Sequence, residues 1–315
     1  MEQEMRYIWE IWREGSFSKA AEKLYLSQPA LSMAVSKAER ALGAPLFDRS
    51  RRPPTLTPAG EIYIETARET LSLENEMKRR IADIRELNTG RVRLGGSHYV
   101  NAYILPDVLA TFGRAWPKIE LELLEHSSAH LARLLEQREI DLVFSANAAL
   151  VKAYEHVPAF RDRLLLAVPE ELAPQAASAA ALTAAQIAAG EHLRPDCPKV
   201  DLGMFRDLEF ILLGSGEVLH ERAMSFFQEA GIAPRVKIRL EVGQHVTAYR
   251  LAGGGMGAVF VSDRLVAAAP EKRLRYYKLA GHATERQFFM LLPPRKYVPA
   301  AVRAFVEWFG TAIED

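Results

Sequence analysis

The side chains best placed for chemistry in this 315-residue chain are hydrogen-bonding and cationic groups, not nucleophiles. On a helical wheel drawn from about Gln28 to Leu42, Pro29, Ser32, Met33, Ser36, Lys37 and Arg40 share one side, and Ser27, Gln28 and Ala30 open the first turn. That outward face carries short, hydrogen-bonding or positive groups and no acid. A glutamine amide suits adenine through a bidentate contact, and serines can read either partner of a base pair. Arg49, Arg51 and Arg52 flank a proline-rich tip, Pro53-Pro54, where they would lie against phosphates or in a minor groove. From Lys19 to Arg52 there are seven basic and three acidic side chains, so positive charge collects here. A second set lies farther along: Ser97-His98, His126-Ser127-Ser128, Ser145, Ser215 between two glycines, and His245 after Gly243-Gln244. Each follows an apolar run, most open a helical pattern, and together they offer amide N–H groups, hydroxyls and positive helix ends to one point. An anion, most simply a carboxylate, is the matching ligand. His98, His126 and His245 could add charge, because imidazole titrates near neutrality.

Those groups need elements to hold them. Met5, Ile8, Trp9 and Trp12 recur at helical spacing over 3–14, and Gly15 ends that helix. Ser18 is the expected cap of a short helix, Lys19 to Leu24, whose Ala20-Ala21 pair lets a neighbour approach closely. Ser27 caps the next helix, with Pro29 in its first turn, Leu31, Val35, Ala38 and Leu42 inward, and Gly43 as its stop. A short helix, a tight turn and a second helix with a polar outward face make a helix-turn-helix. Two short extended runs around the basic tip predict a wing hairpin. From Thr57-Pro58 to about Leu87, Ile64, Ala67, Leu71, Met77, Ile81 and Ile84 recur among seven acidic and five basic residues. A helix that long, with so narrow an apolar seam, needs a partner helix.

After Gly90 the pattern alternates strand and helix. Strands are expected at 91–94, 119–124 and 140–145, with helices at 103–114 and 129–138. A second series runs through 163–168, 209–213, helix 217–230, 236–242, helix 245–252 and 258–261. The chain returns through 273–279 and 286–292 to helix 298–310. This is α/β, in two halves joined by a double crossover. Alanine-rich Ala173–Gly190 predicts a loop and a short helix.

Composition narrows the classes. Hydrophobic residues make up 49% and charged residues 25%, with forty basic and forty acidic side chains, which suits folded domains and excludes low-complexity disorder. The single cysteine, Cys197, excludes an internal disulfide and a multi-cysteine zinc site. The first residues lack a secretion-signal pattern and no stretch is apolar enough for a membrane span, so the expected setting is cytoplasmic with no membrane partner. Enzyme signals are weak. Gly253-Gly254-Gly255-Met256-Gly257 follows a helix and precedes a strand, the reverse of a nucleotide loop. Leu213-Gly214-Ser215-Gly216 lacks a phosphate-loop lysine, His126 of the His126/His130 pair falls in the loop before the helix with no H-E-x-x-H, and no G-x-S-x-G elbow occurs. No cofactor and no metal are expected.

Residues 15–60 resemble the winged helix-turn-helix of LysR-type transcriptional regulators. The resemblance rests on Gly15 to Leu24, on Ser27-Gln28-Pro29-Ala30-Leu31-Ser32, on Leu42 to Arg49, and on Leu56-Thr57-Pro58-Ala59-Gly60, in order and at matching spacing. Ala38 replaces the larger aliphatic residue usual in that family. The C-terminal part resembles the family's effector domain, itself similar to type 2 periplasmic-binding proteins, through Leu105-Pro106, Glu139 to Leu142 and Gly253 to Val261, with Ser262-Asp263 where a proline is usual. The resemblance implies residues 1–60 as the DNA-binding domain, 61–89 as the dimerising linker helix, and 90–315 as the effector domain, with one lobe of 90–161 plus 268–315 and the other of 162–267. It also implies double-stranded operator DNA, a small effector in the cleft, and a homodimer or homotetramer, with RNA polymerase as a further candidate partner. Two rivals remain: a small-molecule-binding or enzymatic α/β domain fused to a helix-turn-helix, and a constitutive regulator whose C-terminal part serves only assembly.

Overall fold

The structure, a computed structural model, describes residues 2–51, 53–85, 90–293 and 297–312. The chain divides into two compact units, Met1–Arg85 and Glu86–Asp315. Each is described by itself.

The first unit runs α1 (Glu2–Glu14), α2 (Phe17–Lys23), α3 (Gln28–Leu42), β1 (Phe47–Asp48), β2 (Thr55–Leu56) and α4 (Pro58–Arg85). Local signals set most of these boundaries. Ser27 caps α3 by accepting from the Ala30 N–H at 3.3 Å, and Gly43, at φ 71°, ends it in the left-handed conformation. Thr57 caps α4, accepting from the Gly60 N–H at 3.0 Å while its hydroxyl donates to the Pro45 carbonyl at 2.6 Å. A Cβ at Gly60 would lie 2.1 Å from the Leu46 carbonyl oxygen, so only glycine lets the wing sit against the start of α4. The core joins Ile8, Ile11, Ala20, Ala21, Leu31, Val35 and Ala38 to Leu46, Phe47 and Ile64.

Three expectations need correction here. Ser16, not Ser18, caps α2, accepting from the Lys19 N–H at 3.4 Å. Helix α1 buries Ile8 and Ile11, while Trp12 is exposed and packs its ring on Trp9, with centroids 4.8 Å apart. Leu42, expected inward, is exposed at the end of α3.

The apolar seam of α4 is two seams. Ile64 and Ala67 are buried and Leu71 half-buried on the side where α4 meets α1, a contact strengthened by Arg6 donating to Glu74 at 2.7 Å. Ile62, Leu73, Met77 and Ile81, between 46% and 68% exposed, form a separate stripe. At about 100° per residue the centres of the two stripes lie roughly 130° apart around the helix, with Ile81 nearest the packed side. The side chain of Ile84 lies outside the described residues.

In the second unit a first parallel series contains β3 (Gly90–Gly96), α5 (His98–Tyr103), α6 (Leu105–Ala115), β4 (Ile119–Glu125), α7 (Ser128–Glu136) and β5 (Leu142–Ser145). The helix expected at 103–114 is α6, which starts at Leu105 with Pro106 in its first turn, and the short α5 before it was not anticipated. Helix α8 (Ala148–Ala153), not anticipated, leads into β6 (Glu155–Pro169). The second series holds α9 (Ala184–Ala188), β7 (Lys199–Val200), β8 (Glu209–Leu213), α10 (Val218–Glu229), β9 (Lys237–Val242), α11 (His245–Gly253), β10 (Val259–Ser262) and α12 (Asp263–Ala268). Then follow β11 (Leu274–Leu279), β12 (Glu285–Leu292) and α13 (Ala300–Ala312).

The sheet order is β4-β3-β5-β12-β6-β11-β7, with β10 also on β6. Strand β6 is far longer than the expected 163–168 and belongs to both halves. Its Glu155–Arg163 stretch pairs antiparallel with β12, and Leu164–Pro169 pairs with β10 and β11. β11 still pairs on the second side, with β6 and β7, so the chain returns between Leu279 and Glu285 rather than at 268. Where a proline was absent, Ser262-Asp263 opens α12.

Candidate DNA-contacting face and ligand cleft

The outward face of α3 is as open as the wheel suggests. Gln28, Pro29, Met33, Lys37 and Arg40 are exposed, and Ala30, Ser32 and Ser36 are half-buried. Ser27 is committed to capping, and Arg40 donates back to the Ser36 carbonyl at 3.3 Å. In the wing, Arg51 lies 3.6 Å from Asp48 and is largely exposed, whereas Arg49 is held. Its guanidinium donates to Glu39 Oε2 at 3.1 Å and Ser32 Oγ at 3.2 Å, and sits 5.0 Å above the Phe17 ring. Arg52 lies outside the described residues.

Glu39 is the organiser that sequence reasoning missed. Its other oxygen accepts from the backbone N–H groups of Leu46 and Phe47 at 2.8 and 3.4 Å. One carboxylate thus fixes the angle between α3 and the wing and orients Arg49. The available signal was an acid on the last turns of an otherwise cationic helix. Tyr25 was missed too: it is 97% exposed in the turn between α2 and α3, with φ at 55°.

The second unit holds a cleft of about 270 Å³ lined by Ser97, His98, His126, Ser127, Ser128, Ser145 and His245. Ser215 is not among its lining residues; Glu217, Val218 and Leu219, one turn later, take that place. The cleft gathers four helix starts. Ser97, Ser127, Glu217 and Gln244 are the N-cap residues of α5, α7, α10 and α11, and none spends its side chain on capping. Ser16, Ser27, Asn147 and Thr183 elsewhere do cap their helices. The first-turn N–H groups at the cleft are therefore left to a ligand or water.

The histidines divide. His98 Nδ1 lies 3.0 Å from Glu125, whose other oxygen accepts from Gln244 at 3.4 Å. His126 is exposed, its ring 4.3 Å from that of His130. His245 is buried and donates from Nε2 to the Phe260 carbonyl at 3.1 Å. Burial, reinforced by the Arg286 charge, pushes the His245 imidazole down to about 4. It is neutral near pH 7, so the expectation that it supplies positive charge is overturned.

A measurable consequence follows from that burial. Above the ordinary imidazole range both folded and unfolded chains carry neutral His245. As pH falls toward 4, the unfolded chain binds a proton that the folded site refuses, so stability declines. His245→Asn, which keeps a donor for Phe260, should remove about 2 kcal/mol of the stability lost between about pH 7 and pH 5. Urea denaturation of both proteins at the two pH values checks this; equal losses in the two would refute it.

Arg286 is the cleft's cation. It lies on β12 directly opposite Asp162 on β6, and both are buried. Nε donates to Asp162 Oδ1 at 2.7 Å, and Nη2 donates to Oδ2. Tyr99 Oη also donates to Asp162, at 2.9 Å, and lies 2.8 Å from Ser262 Oγ. Burial alone would raise the Asp162 carboxyl, but the Arg286 guanidinium outweighs it and holds the group below its ordinary value. Burial would likewise lower Arg286, and Asp162 outweighs that in turn. Arg286 shares an inward face with Phe288 and Met290, so an arginine in phase with buried apolar residues was the sequence signal.

The glycine run 253–257 joins the end of α11 to β10, a helix-to-strand turn. Among the described residues no group of three or more histidine, cysteine, aspartate or glutamate side chains could hold a metal. No described helix is long and apolar enough to cross a membrane.

Residues 3–61 match the helix-turn-helix of bacterial regulatory proteins of the lysR family, and residues 85–314 match the LysR substrate binding domain. The chain is 29% identical over 309 residues to a probable RuBisCO transcriptional regulator of Cyanidioschyzon merolae, covering 96% of this chain and 95% of that protein. It is 28% identical over 304 residues to the HTH-type transcriptional regulator YcgK of Bacillus subtilis, covering 96% and 93%. Full-length CbnR complexed with its target DNA shares the fold, with a TM-score of 0.65 at 20% identity over 99% of this chain and 100% of that one. A full-length OxyR from Pseudomonas aeruginosa gives 0.68 at 20% identity, over 99% and 93%. With a helix-turn-helix and wing in the first unit and a ligand-sized cleft in the second, each matched by its own family model, the chain belongs to the LysR family: it is a DNA-binding transcriptional regulator with an effector-binding domain.

Proposed function

We propose that the protein works as a homodimer or homotetramer in the cytoplasm, reads its operator through α3 and the wing, and is governed by a small carboxylate in the cleft, without catalysis. The observation that carries the effector class is the set of four uncapped helix starts around one cavity. At about 270 Å³ the cavity suits a small metabolite, since drug-sized pockets begin near 300 Å³. Assembly is supported by the outer stripe of α4 and by two edge strands with exposed apolar side chains, Leu121 and Leu123 on β4, Ile238 and Leu240 on β9. RNA polymerase is the partner through which a DNA-bound regulator would act on transcription.

In this proposal Gln28, Ser32, Met33 and Ser36 face bases, while Lys37, Arg40, Arg51 and Arg52 face phosphates. Arg49 acts mainly by positioning the wing, because Glu39 and Ser32 already engage it. Arg51→Ala should weaken binding to operator and random DNA alike and flatten the salt dependence by about one phosphate contact. Gln28→Ala should cost about 1–3 kcal/mol on operator only. Salt-titrated binding to both DNAs separates the two roles; an equal loss from Gln28→Ala on both would remove it from base reading. For the effector, a panel of small mono- and dicarboxylates should raise the melting temperature, and Ser97→Ala and Ser127→Ala should each weaken that shift without altering DNA affinity in the absence of ligand. Tight binding of a neutral, apolar compound unaffected by both changes would favour a different ligand class.

A further inference from the structure

We propose that Arg286 is the anion anchor of the effector cleft, held by Asp162 so that its free nitrogen, Nη1, faces the ligand. The inference rests on the anionic-effector proposal above and deepens it, moving the charge from the histidines to an arginine on β12. Arg286 is only 6% exposed, yet it lines the cleft. Its Nε and Nη2 are both spent on Asp162. Among the described residues Nη1 donates to nothing, and the side chain lines the cavity, so Nη1 is the nitrogen left for a ligand.

Asp162 is fully buried behind the arginine and also accepts from Tyr99, so it holds the fork without occupying the cleft side. The guanidinium lies 5.9 Å from the Tyr99 ring centroid and 5.1 Å from that of Phe288, and these rings confine its plane. A planar, prealigned guanidinium loses little freedom when a carboxylate docks, and its charge-assisted bonds are stronger than those of neutral donors. Ser145 adds a second donor. It is 3% exposed, lines the same cleft, and its Oγ accepts from the Asn147 N–H at 3.1 Å, which leaves its own proton unspent among the described residues. His245, buried beside Tyr99 with rings 5.7 Å apart, is neutral and does not compete as a cation.

The test uses full-length protein, with acetate, succinate, sulfate and phosphate as probes in thermal-shift and calorimetric titrations. Arg286→Lys keeps a cation against Asp162 but cannot both pair with it and present a second planar nitrogen to the cleft. The expected result is a loss of about tenfold or more in affinity for the best-binding probe, with the circular dichroism and urea midpoint of a folded protein. Should Arg286→Lys fail to fold, the Asp162→Asn/Arg286→Gln double variant replaces the ion pair with a neutral hydrogen-bonded one and should show the same loss. Unchanged affinity in a folded variant would overturn the Arg286 assignment while leaving the anionic reading intact. If no probe binds the natural protein, the anionic reading itself fails and takes this assignment with it.

Discussion

Asp162→Ala should destabilise the effector-binding unit by about 3–5 kcal/mol, the cost of leaving a buried cation without its counter-ion. Among the described residues Arg286 has no other carboxylate within hydrogen-bonding distance, and Tyr99 would lose one of its two hydroxyl partners, keeping only Ser262. For a unit of this size the melting temperature should fall by roughly 10 °C. The effect is present in full at neutral pH. Asp162 titrates below its ordinary range in the folded chain, so its contribution fades only as pH falls through that depressed value. Arg286→Ala should be about as damaging, because it strands the carboxylate instead. The double variant Asp162→Leu/Arg286→Met should recover most of the loss, since apolar side chains can fill a site where two charges cancelled. Denaturant midpoints for the natural protein, the two single variants and the double variant check this. Additive losses in the double variant would show that the two groups act separately and that the pair is not the unit of stability.

This network also shows where sequence and structure part company. Asp162 and Arg286 are 124 residues apart, and neither has a local pattern that names the other. Only the pairing of β6 with β12 puts them opposite each other. The length of β6 was hidden for the same reason. Its first half has β12 as partner and its second half β10 and β11, so its burial changes character midway, from alternating to continuous. By contrast, the boundaries of α3 and the start of α4 were legible, because Ser27, Gly43 and Thr57 act within one turn of themselves. Where two local signals competed, tertiary packing chose. Ser16 won the cap of α2 over Ser18 because Phe17 belongs in the helix, with its ring 5.5 Å from Phe47 and beneath Arg49. Seven of the eight expected effector residues line one cleft because strand ends in an open α/β sheet converge whatever their sequence. Ser215 dropped out because α10 starts at Val218, and the residue that reaches the cavity is its cap, Glu217.

Leu73→Glu/Met77→Glu should reduce operator affinity by roughly 10²–10⁴-fold, the factor gained when a second half-site is bound within one assembly. Helix α4 divides its apolar residues between two sides. Ile64 and Ala67 are consumed by packing within the unit, so they cannot also hold a partner. Ile62, Leu73, Met77 and Ile81 are left exposed on the other side of a 28-residue helix, about 42 Å long. These residues span about 28 Å of that charged helix, and such a stripe matches the seam of a paired helix. Two glutamates per chain would place unpaired charge in it on both partners, at a cost that hydrophobic contact over four residues cannot offset. Sedimentation should show the assembly at least halved in mass, with each unit still folded by circular dichroism. Ile64→Glu is the contrasting variant: it should unfold the helix-turn-helix rather than dissociate it, because Ile64 lies in that unit's own core. If the double variant kept both its mass and its operator affinity, the outer stripe of α4 would not be the dimer seam, and the edge strands β4 and β9 would have to carry assembly alone.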